Sequence, residues 1–332
     1  MNPAKTVDTV TQICRRTATP MVEVSVLVTD QRHPMRLKLE AENPWGSIKD
    51  RTARSLLDEL EKSAPLEPGA MIVESSSGNA GVALAALSRQ RGYRFTAVVD
   101  PRTSPANIQN MKKYGALVDI VTDPDEYGGY LLTRLKRVEE LVKERGYHWT
   151  DQYSSPANPE VHYRETGPEL WSQAGDDCDA VFVAVSTGGT LAGVARYLRE
   201  LDRPPHIEAV DVVGSVIFGG ASAPRRLVGI GSSRKSDFLT PHHYDGHTLV
   251  EDVDAVGHCR ALSAGTGIRV GGSSGAVLAA ATRFLRRHPD TRSIACLCPD
   301  GGDRYLDSIY GPSSPDEPWP HNSTVLEDIR YG

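Results

Sequence analysis

The chain has 332 residues, 39% of them hydrophobic and 24% charged, with a formal net charge of −6. That composition belongs to a folded chain with room for two compact units, and it excludes a disordered protein. Its 37 lysines and arginines form no basic block, which argues against a nucleic-acid partner, and no apolar run approaches the length of a membrane span.

The first twenty residues, MNPAKTVDTVTQICRRTATP, hold no apolar stretch of the kind a secretory signal needs. The first expected strand is Arg36–Glu40, which breaks at Asn43-Pro44, turns through Gly46 and enters a helix over Ile48–Lys62. Strand and helix patterns then alternate. Strands are expected at Met71–Glu74, Phe95–Val99, Leu117–Val121, Val181–Val185, Ile207–Val213, Leu249–Val253 and Ile294–Cys298. Helices are expected at Ala80–Arg91, Pro105–Tyr114, Gly129–Arg145, Pro159–Gln173, Leu191–Glu200, Val253–Ala264, Ser274–Arg287 and Arg304–Tyr310. This alternation predicts an α/β fold of parallel sheets covered by helices. Residues 311–332, Pro-rich and polar, read as an extended tail with room for a short final helix.

Five cysteines (14, 178, 259, 296 and 298) lack zinc-ligand spacing. Cys296 and Cys298 alternate in an apolar strand and read as buried thiols, which fits a reducing cytoplasm. The histidines show no metal pattern; His162 and the pair His242–His243 read as ordinary. Asp50 and Arg51 read as structural, and Asp300 and Asp303 as caps or ligands for loop backbone.

Three glycine-rich turns each join an apolar strand to a helix: ESSSGNAG (74–81), VSTGGTLAG (185–193) and VGGSSGA (270–276). Such turns lie at the carboxyl ends of strands, where the free N–H groups of the next helix attract anions. The dinucleotide pattern G-x-G-x-x-G and the P-loop are both absent. One lysine, Lys49, stands at the mouth of a helix in NPWGSIKDR. Alone it is a solvated charge by default. Beside a hydroxyl-rich phosphate cup it suits pyridoxal phosphate, whose aldehyde needs an amine, whose phosphate needs N–H and hydroxyl donors, and whose ring nitrogen needs a partner. Ser186, Thr187, Gly188, Gly189 and Thr190 can supply the cup, and Ser273 the ring partner. At a helix start the positive dipole end disfavours an extra proton on Lys49.

Taken together, NPWGSIKDR, SSSGN, STGGT, GGSSGA and the closing PDGGDRYL resemble, in order, the motifs of the fold-type II pyridoxal-phosphate enzymes of the cysteine synthase family. The resemblance runs from residue 43 to 306. It implies the tryptophan synthase β-like fold, with a larger domain from 1–47 and 157–332 and a smaller mobile one from 48–156. It also implies a homodimer. Lys49 would carry the cofactor as a Schiff base and shuttle the Cα proton. Asn79 would bond the ring hydroxyl, although it also suits a helix cap. Ser76, Ser77, Gly78 and Gln152 would hold the substrate carboxylate, Ser186 to Thr190 the cofactor phosphate, and Ser273 the pyridine nitrogen.

The chain departs from plain cysteine synthases at Ala80, where a threonine is usual, and at Ser186-Thr187. Residues 98–135, 211–220 and 225–234 look like the 2,3-diaminopropionate-pathway synthases of siderophore and antibiotic biosynthesis. Those resemble cysteine synthase but join O-phospho-L-serine to L-glutamate. A dianionic leaving group calls for a charged fork of donors, and Arg134 is the candidate, with Tyr153 and Ser186 completing the site. The plain alternative for Arg134 is a surface ion pair. Three rival readings stay open: a cysteine synthase using sulfide, a serine or threonine dehydratase, and a cofactor-binding protein without catalysis.

Overall fold

The structure is a computed structural model, and it describes residues 18–63, 65–125, 129–311, 326 and 328–332. Two sheets organise it. The larger has seven strands in the order β11-β1-β2-β10-β7-β8-β9, and the smaller has four in the order β5-β4-β3-β6.

The larger sheet begins with a hairpin of β1 (Met21–Val28) and β2 (Gln31–Leu39). Its turn places Thr29 and Asp30 at φ 47° and 64°. β1 alternates buried and partly exposed positions from Val24 onward, as a half-covered strand should. From β2 the chain crosses to the smaller sheet: β3 (Met71–Ser75), β4 (Arg94–Val99), β5 (Leu117–Ile120) and the two-residue β6 (His148–Trp149), all parallel. It then returns through β7 (Cys178–Ala184), β8 (His206–Val212), β9 (Gly246–Val250) and β10 (Ser293–Cys298), and ends on β11 (Ile329–Tyr331).

Helices fill the crossovers. They are α1 (Lys49–Ser63), α2 (Asn79–Gln90), α3 (Pro105–Lys113), α4 (Leu131–Arg145), α5 (Ala157–Val161), α6 (Gly167–Ala174), α7 (Gly189–Leu198), α8 (Asp252–Thr266) and α9 (Gly272–Arg287). Every residue of β10 is buried, because helices cover both faces of the strand. α9 is buried for most of its length against α8 and the sheet. Among the described residues no helix is long and apolar enough to cross a membrane.

Several expectations need correcting. β1 and the first half of β2 were not expected. The helix expected over Pro159–Gln173 is two helices, α5 and α6, joined by a π-helical turn at His162–Thr166. There Gly167 lies against Tyr197 so closely that an added Cβ would sit 2.8 Å from the tyrosine Cβ. Glu40 is in a 3-10 turn after β2, and the helix expected at Arg304–Tyr310 is a single 3-10 turn, Gly302–Tyr305. The strand expected at Leu249–Val253 runs over Gly246–Val250 instead. The last described residues form β11, which pairs antiparallel with β1, Ile329 against Val28 and Tyr331 against Val26. Residues 312–325 of the tail lie outside the described residues, as does Cys14.

The four described cysteines are free and buried, and burial pushes the Cys298 thiol up to about 12. His162 is fully buried and shares hydrogen bonds with Thr52, Thr166 and Thr190, a structural histidine.

Candidate active site

The carboxyl ends of β3, β4, β6, β7, β8 and β10 face one cleft of about 320 Å3, the position that parallel sheets offer to a ligand. Lys49 enters it from the first residue of α1. Gly46, at φ 84°, makes the turn before it. Ser47 Oγ accepts the Lys49 N–H at 3.2 Å, and Asp50 accepts the Trp45 N–H at 2.6 Å. Two residues further on, the buried Arg51 guanidinium pairs with Glu40 and Glu169, both at 2.8 Å, and Lys38 also pairs with Glu169. This cluster fixes the start of α1 to the larger sheet. Asp50 and Arg51 are therefore structural, as expected.

Among the described residues no side chain pairs with the Lys49 amine. Burial lowers its pKa to about 8, because a low-dielectric surround disfavours the ammonium. A sizeable neutral fraction is thus present near neutral pH, and a neutral amine is what attacks an aldehyde.

The turn after β3 brings in Ser76, Ser77, Gly78 and Asn79. Ser76 Oγ accepts the Gly81 N–H at 2.8 Å, which closes the turn into α2. The Asn79 amide lies between two groups: its Nδ2 donates to Asp300 at 2.8 Å, and Arg304 donates to its Oδ1. The Asp300 carboxylate also accepts from Tyr305 Oη at 2.7 Å. Asp300 therefore serves side chains more than loop backbone, and burial raises its pKa. Beneath this turn, the fully buried Glu74 accepts from Ser75 N, Trp149 Nε1, Thr150 Oγ1 and Gln152 N. Burial outweighs those donors and brings its pKa up to about 7. Gln152 in turn donates to Ser75 O at 2.9 Å, so its side chain is partly committed to the protein.

Of the loop after β7, Ser186 and Thr187 line the cleft. Gly188, Gly189 and Thr190 are not in its lining; they are the N-cap and the first two residues of α7, which follow Thr187 directly. Gly188 holds φ 92°, and an added Cβ would lie 2.1 Å from Ser236 Oγ. Ser236 in turn donates to Thr187 O at 2.6 Å. Ser273 faces the cleft from the first turn of α9.

Across the cleft, Arg134 and Tyr153 also line it. Arg134 is 9% exposed, so the plain alternative of a surface pair does not hold. Its Nη1 lies 3.2 Å from Asp100, yet Nε and Nη1 are closed to water and have no hydrogen-bond partner.

The donor set of an unpaired amine, the cleft hydroxyls of Ser186, Thr187 and Ser273, an anchored amide and a glycine-led helix start fits an aldehyde cofactor that bears a phosphate. Residues 15–300 match the family described as pyridoxal-phosphate dependent enzyme. The chain belongs to that family. This pyridoxal-phosphate enzyme is 44% identical over 293 residues to the N-(2-amino-2-carboxyethyl)-L-glutamate synthase of Ralstonia nicotianae, with 88% of this chain and 87% of the relative covered. It is 41% identical to the protein of the same name from Cupriavidus metallidurans, with the same coverage. Its fold matches the crystal structure of an O-ureido-L-serine synthase with a TM-score of 0.80 at 30% identity, over 90% of this chain and 95% of the other.

The sequence had missed several residues of the enzyme's cleft. Asp100, Asn107 and Tyr305 line it, as does the segment from Arg225 to Ser233. Arg225 donates to Gly214 O, Ser232 O and Ser233 Oγ, so it staples that segment. The stretches 98–135 and 225–234 stood out in the sequence, but no single residue in them except Arg134 carried a chemical signature.

Proposed function

We propose that the enzyme joins O-phospho-L-serine to L-glutamate, giving N-(1-amino-1-carboxy-2-ethyl)-L-glutamate and phosphate, a step towards L-2,3-diaminopropionate. One observation carries this reading: an amine of lowered pKa, Lys49, and a buried guanidinium with unmade hydrogen bonds, Arg134, line the same cleft. The name that the two relatives share supports glutamate as the second substrate.

Bound pyridoxal phosphate supplies an electron-withdrawing ring that acidifies the substrate Cα–H and lets a β-substituent leave. Lys49 holds the cofactor between turnovers. Once released, its Nζ takes the Cα proton and returns it after the glutamate amine has bonded to the β-carbon. Ser186, Thr187 and the amides at the start of α7 hold the phosphate of the cofactor, where the helix end favours an anion. Asn79, anchored by Asp300 and Arg304, presents its amide to the ring, and Ser273 meets the ring nitrogen. A serine there, unlike an aspartate, does not keep that nitrogen protonated. Ser76, Ser77, Gly78 and Gln152 hold the substrate carboxylate. Arg134, with Tyr153 and Ser186, takes the phosphoryl group, which gives the leaving dianion a charge-assisted partner. Closure of the unit 48–156 over the substrate keeps water from the β-carbon.

The test is a nucleophile comparison. The holoenzyme is given O-phospho-L-serine with glutamate or with sulfide, and products are read by mass. A glutamate adduct with little cysteine is expected. Cysteine with no glutamate adduct would return the chain to cysteine synthesis.

A further inference from the structure

Asp100 directly follows β4, and its position is set by its own turn. Its Oδ1 accepts the Arg102 N–H at 2.9 Å, its carbonyl accepts the Thr103 N–H at 3.0 Å, and its N–H donates to Thr103 Oγ1 at 3.3 Å. The other carboxylate oxygen, Oδ2, is the one that lies 3.2 Å from Arg134 Nη1. Both residues are more than nine-tenths buried, and both line the cleft that holds Lys49. The contact compensates charge without making a hydrogen bond, since Nη1 and Nε both lack a hydrogen-bond partner.

This arrangement is unusual for a structural ion pair. A buried guanidinium ordinarily makes bidentate bonds to its carboxylate, as Arg51 does with Glu40 through Nε and Nη2. Leaving buried donors unmade is costly, so an observed pair of them calls for a partner that arrives from outside. The turn tethers Asp100, so it cannot follow the guanidinium to complete the bonds.

We propose that Asp100 is a built-in competitor for Arg134 that sets how readily the cleft lets go of a phosphate-class anion. This rests on the leaving-group reading above. A site that receives a phosphoryl dianion must also release inorganic phosphate, which carries similar charge and donor demands. A lone buried arginine would retain it. A fixed carboxylate at ion-pair distance repels the bound anion and compensates the guanidinium as the anion departs. Asp100 acts through Arg134, and is therefore a positioning residue.

The experiment titrates inorganic phosphate into holoenzyme by calorimetry. Asp100→Asn keeps an acceptor for the Arg102 N–H and removes the charge. It should tighten phosphate binding by roughly three- to tenfold, the scale of one partly screened unit charge. Arg134→Gln should abolish that binding, and adding Asp100→Asn to it should change nothing further. Asp100→Glu should return phosphate affinity towards the starting value. In steady state, Asp100→Asn should lower kcat and KM for O-phospho-L-serine together, because release slows. Should the asparagine variant fail to retain cofactor, Asp100→Ser, which also suits the turn, carries the same expectation. Unchanged or weaker phosphate binding in Asp100→Asn and Asp100→Ser, with Arg134-dependent binding intact in the parent, overturns the competitor role alone. Absence of any Arg134-dependent phosphate binding overturns it together with the leaving-group reading.

Discussion

Asn79 and Asp300 meet across 221 positions of the chain, the asparagine Nδ2 donating to a carboxylate oxygen at 2.8 Å. The bond joins the start of α2 beside the smaller sheet to the loop that leaves β10 in the larger one. Tyr305 shares the same acceptor oxygen. Replacing Asp300 with alanine strands both donors, so stability should fall by about 1–3 kcal/mol. Chemical denaturation of the apoprotein measures this. Cofactor affinity should fall too, because the Asn79 amide is no longer aimed.

Lys49 should behave as an amine of pKa about 8, not as a surface lysine. Trapping of pyridoxal phosphate on apoprotein by borohydride should rise through pH 8 and level off above it, whereas an exposed lysine would still be gaining near pH 10. Lys49→Met should abolish trapping at this site and cut turnover by about a hundredfold or more. The linkage has a definite sign. The folded pKa lies below the ordinary 10.5, so burying the cation costs stability below pH 8. That cost is relieved as pH rises from 8 towards 10.5. The stability advantage of apo Lys49→Met over the parent should therefore shrink across that interval.

Glu169 gives the opposite window. Burial opposes its ionisation, but bonds from Arg51 and Lys38 outweigh that and hold the carboxyl down to about 2. The stability it contributes is present above the ordinary value of 4.5 and is lost as pH falls towards 2. Glu169→Ala leaves Arg51 with Glu40 as its remaining carboxylate and Lys38 without its ion pair, and should cost about 3–5 kcal/mol. An acid titration followed by circular dichroism should show the parent losing stability between pH 4.5 and 2, with the variant flatter there. Since Arg51 anchors α1, the variant should also bind cofactor more weakly.

Gly188→Ala tests the turn before α7. The position holds φ 92°, strained for alanine, and the new methyl would meet Ser236 Oγ. Cofactor should be lost on gel filtration. Adding Ser236→Ala should not restore it, because the backbone strain remains.

The sequence revealed the parallel α/β plan through its buried, apolar strands such as Val181–Val185, and the glycine turns through their order. β1 escaped although Val24, Val26 and Val28 alternate cleanly. Its hairpin turn uses Thr29 and Asp30 at positive φ, where glycine or asparagine would have signalled the turn. Pro34 further weakened the pattern in β2. It is tolerated because the pairing of β2 with β10 begins only at Met35. The helix expected after residue 159 failed because periodicity cannot report the close approach of Gly167 to Tyr197. Lys49 stood out because a motif surrounded it. Asp100 did not, because an aspartate in a turn is ordinary until the fold sets Arg134 beside it.

The order of strands in the larger sheet also has a consequence for biosynthesis. β2 pairs with β10, whose strand begins at Ser293, and β1 pairs with β11 at the end of the chain. The smaller sheet, by contrast, takes all its strands from one continuous stretch between Met71 and Trp149. On the ribosome the smaller sheet has all its strands early, while the apolar inner face of the first hairpin waits for nearly the whole chain to emerge. Long-range pairing of this kind is slow and leaves a sticky edge open. The hairpin edge is thus the one that waits longest for its partners, and a chain that stops before Ser293 has a hairpin with no neighbour in the sheet.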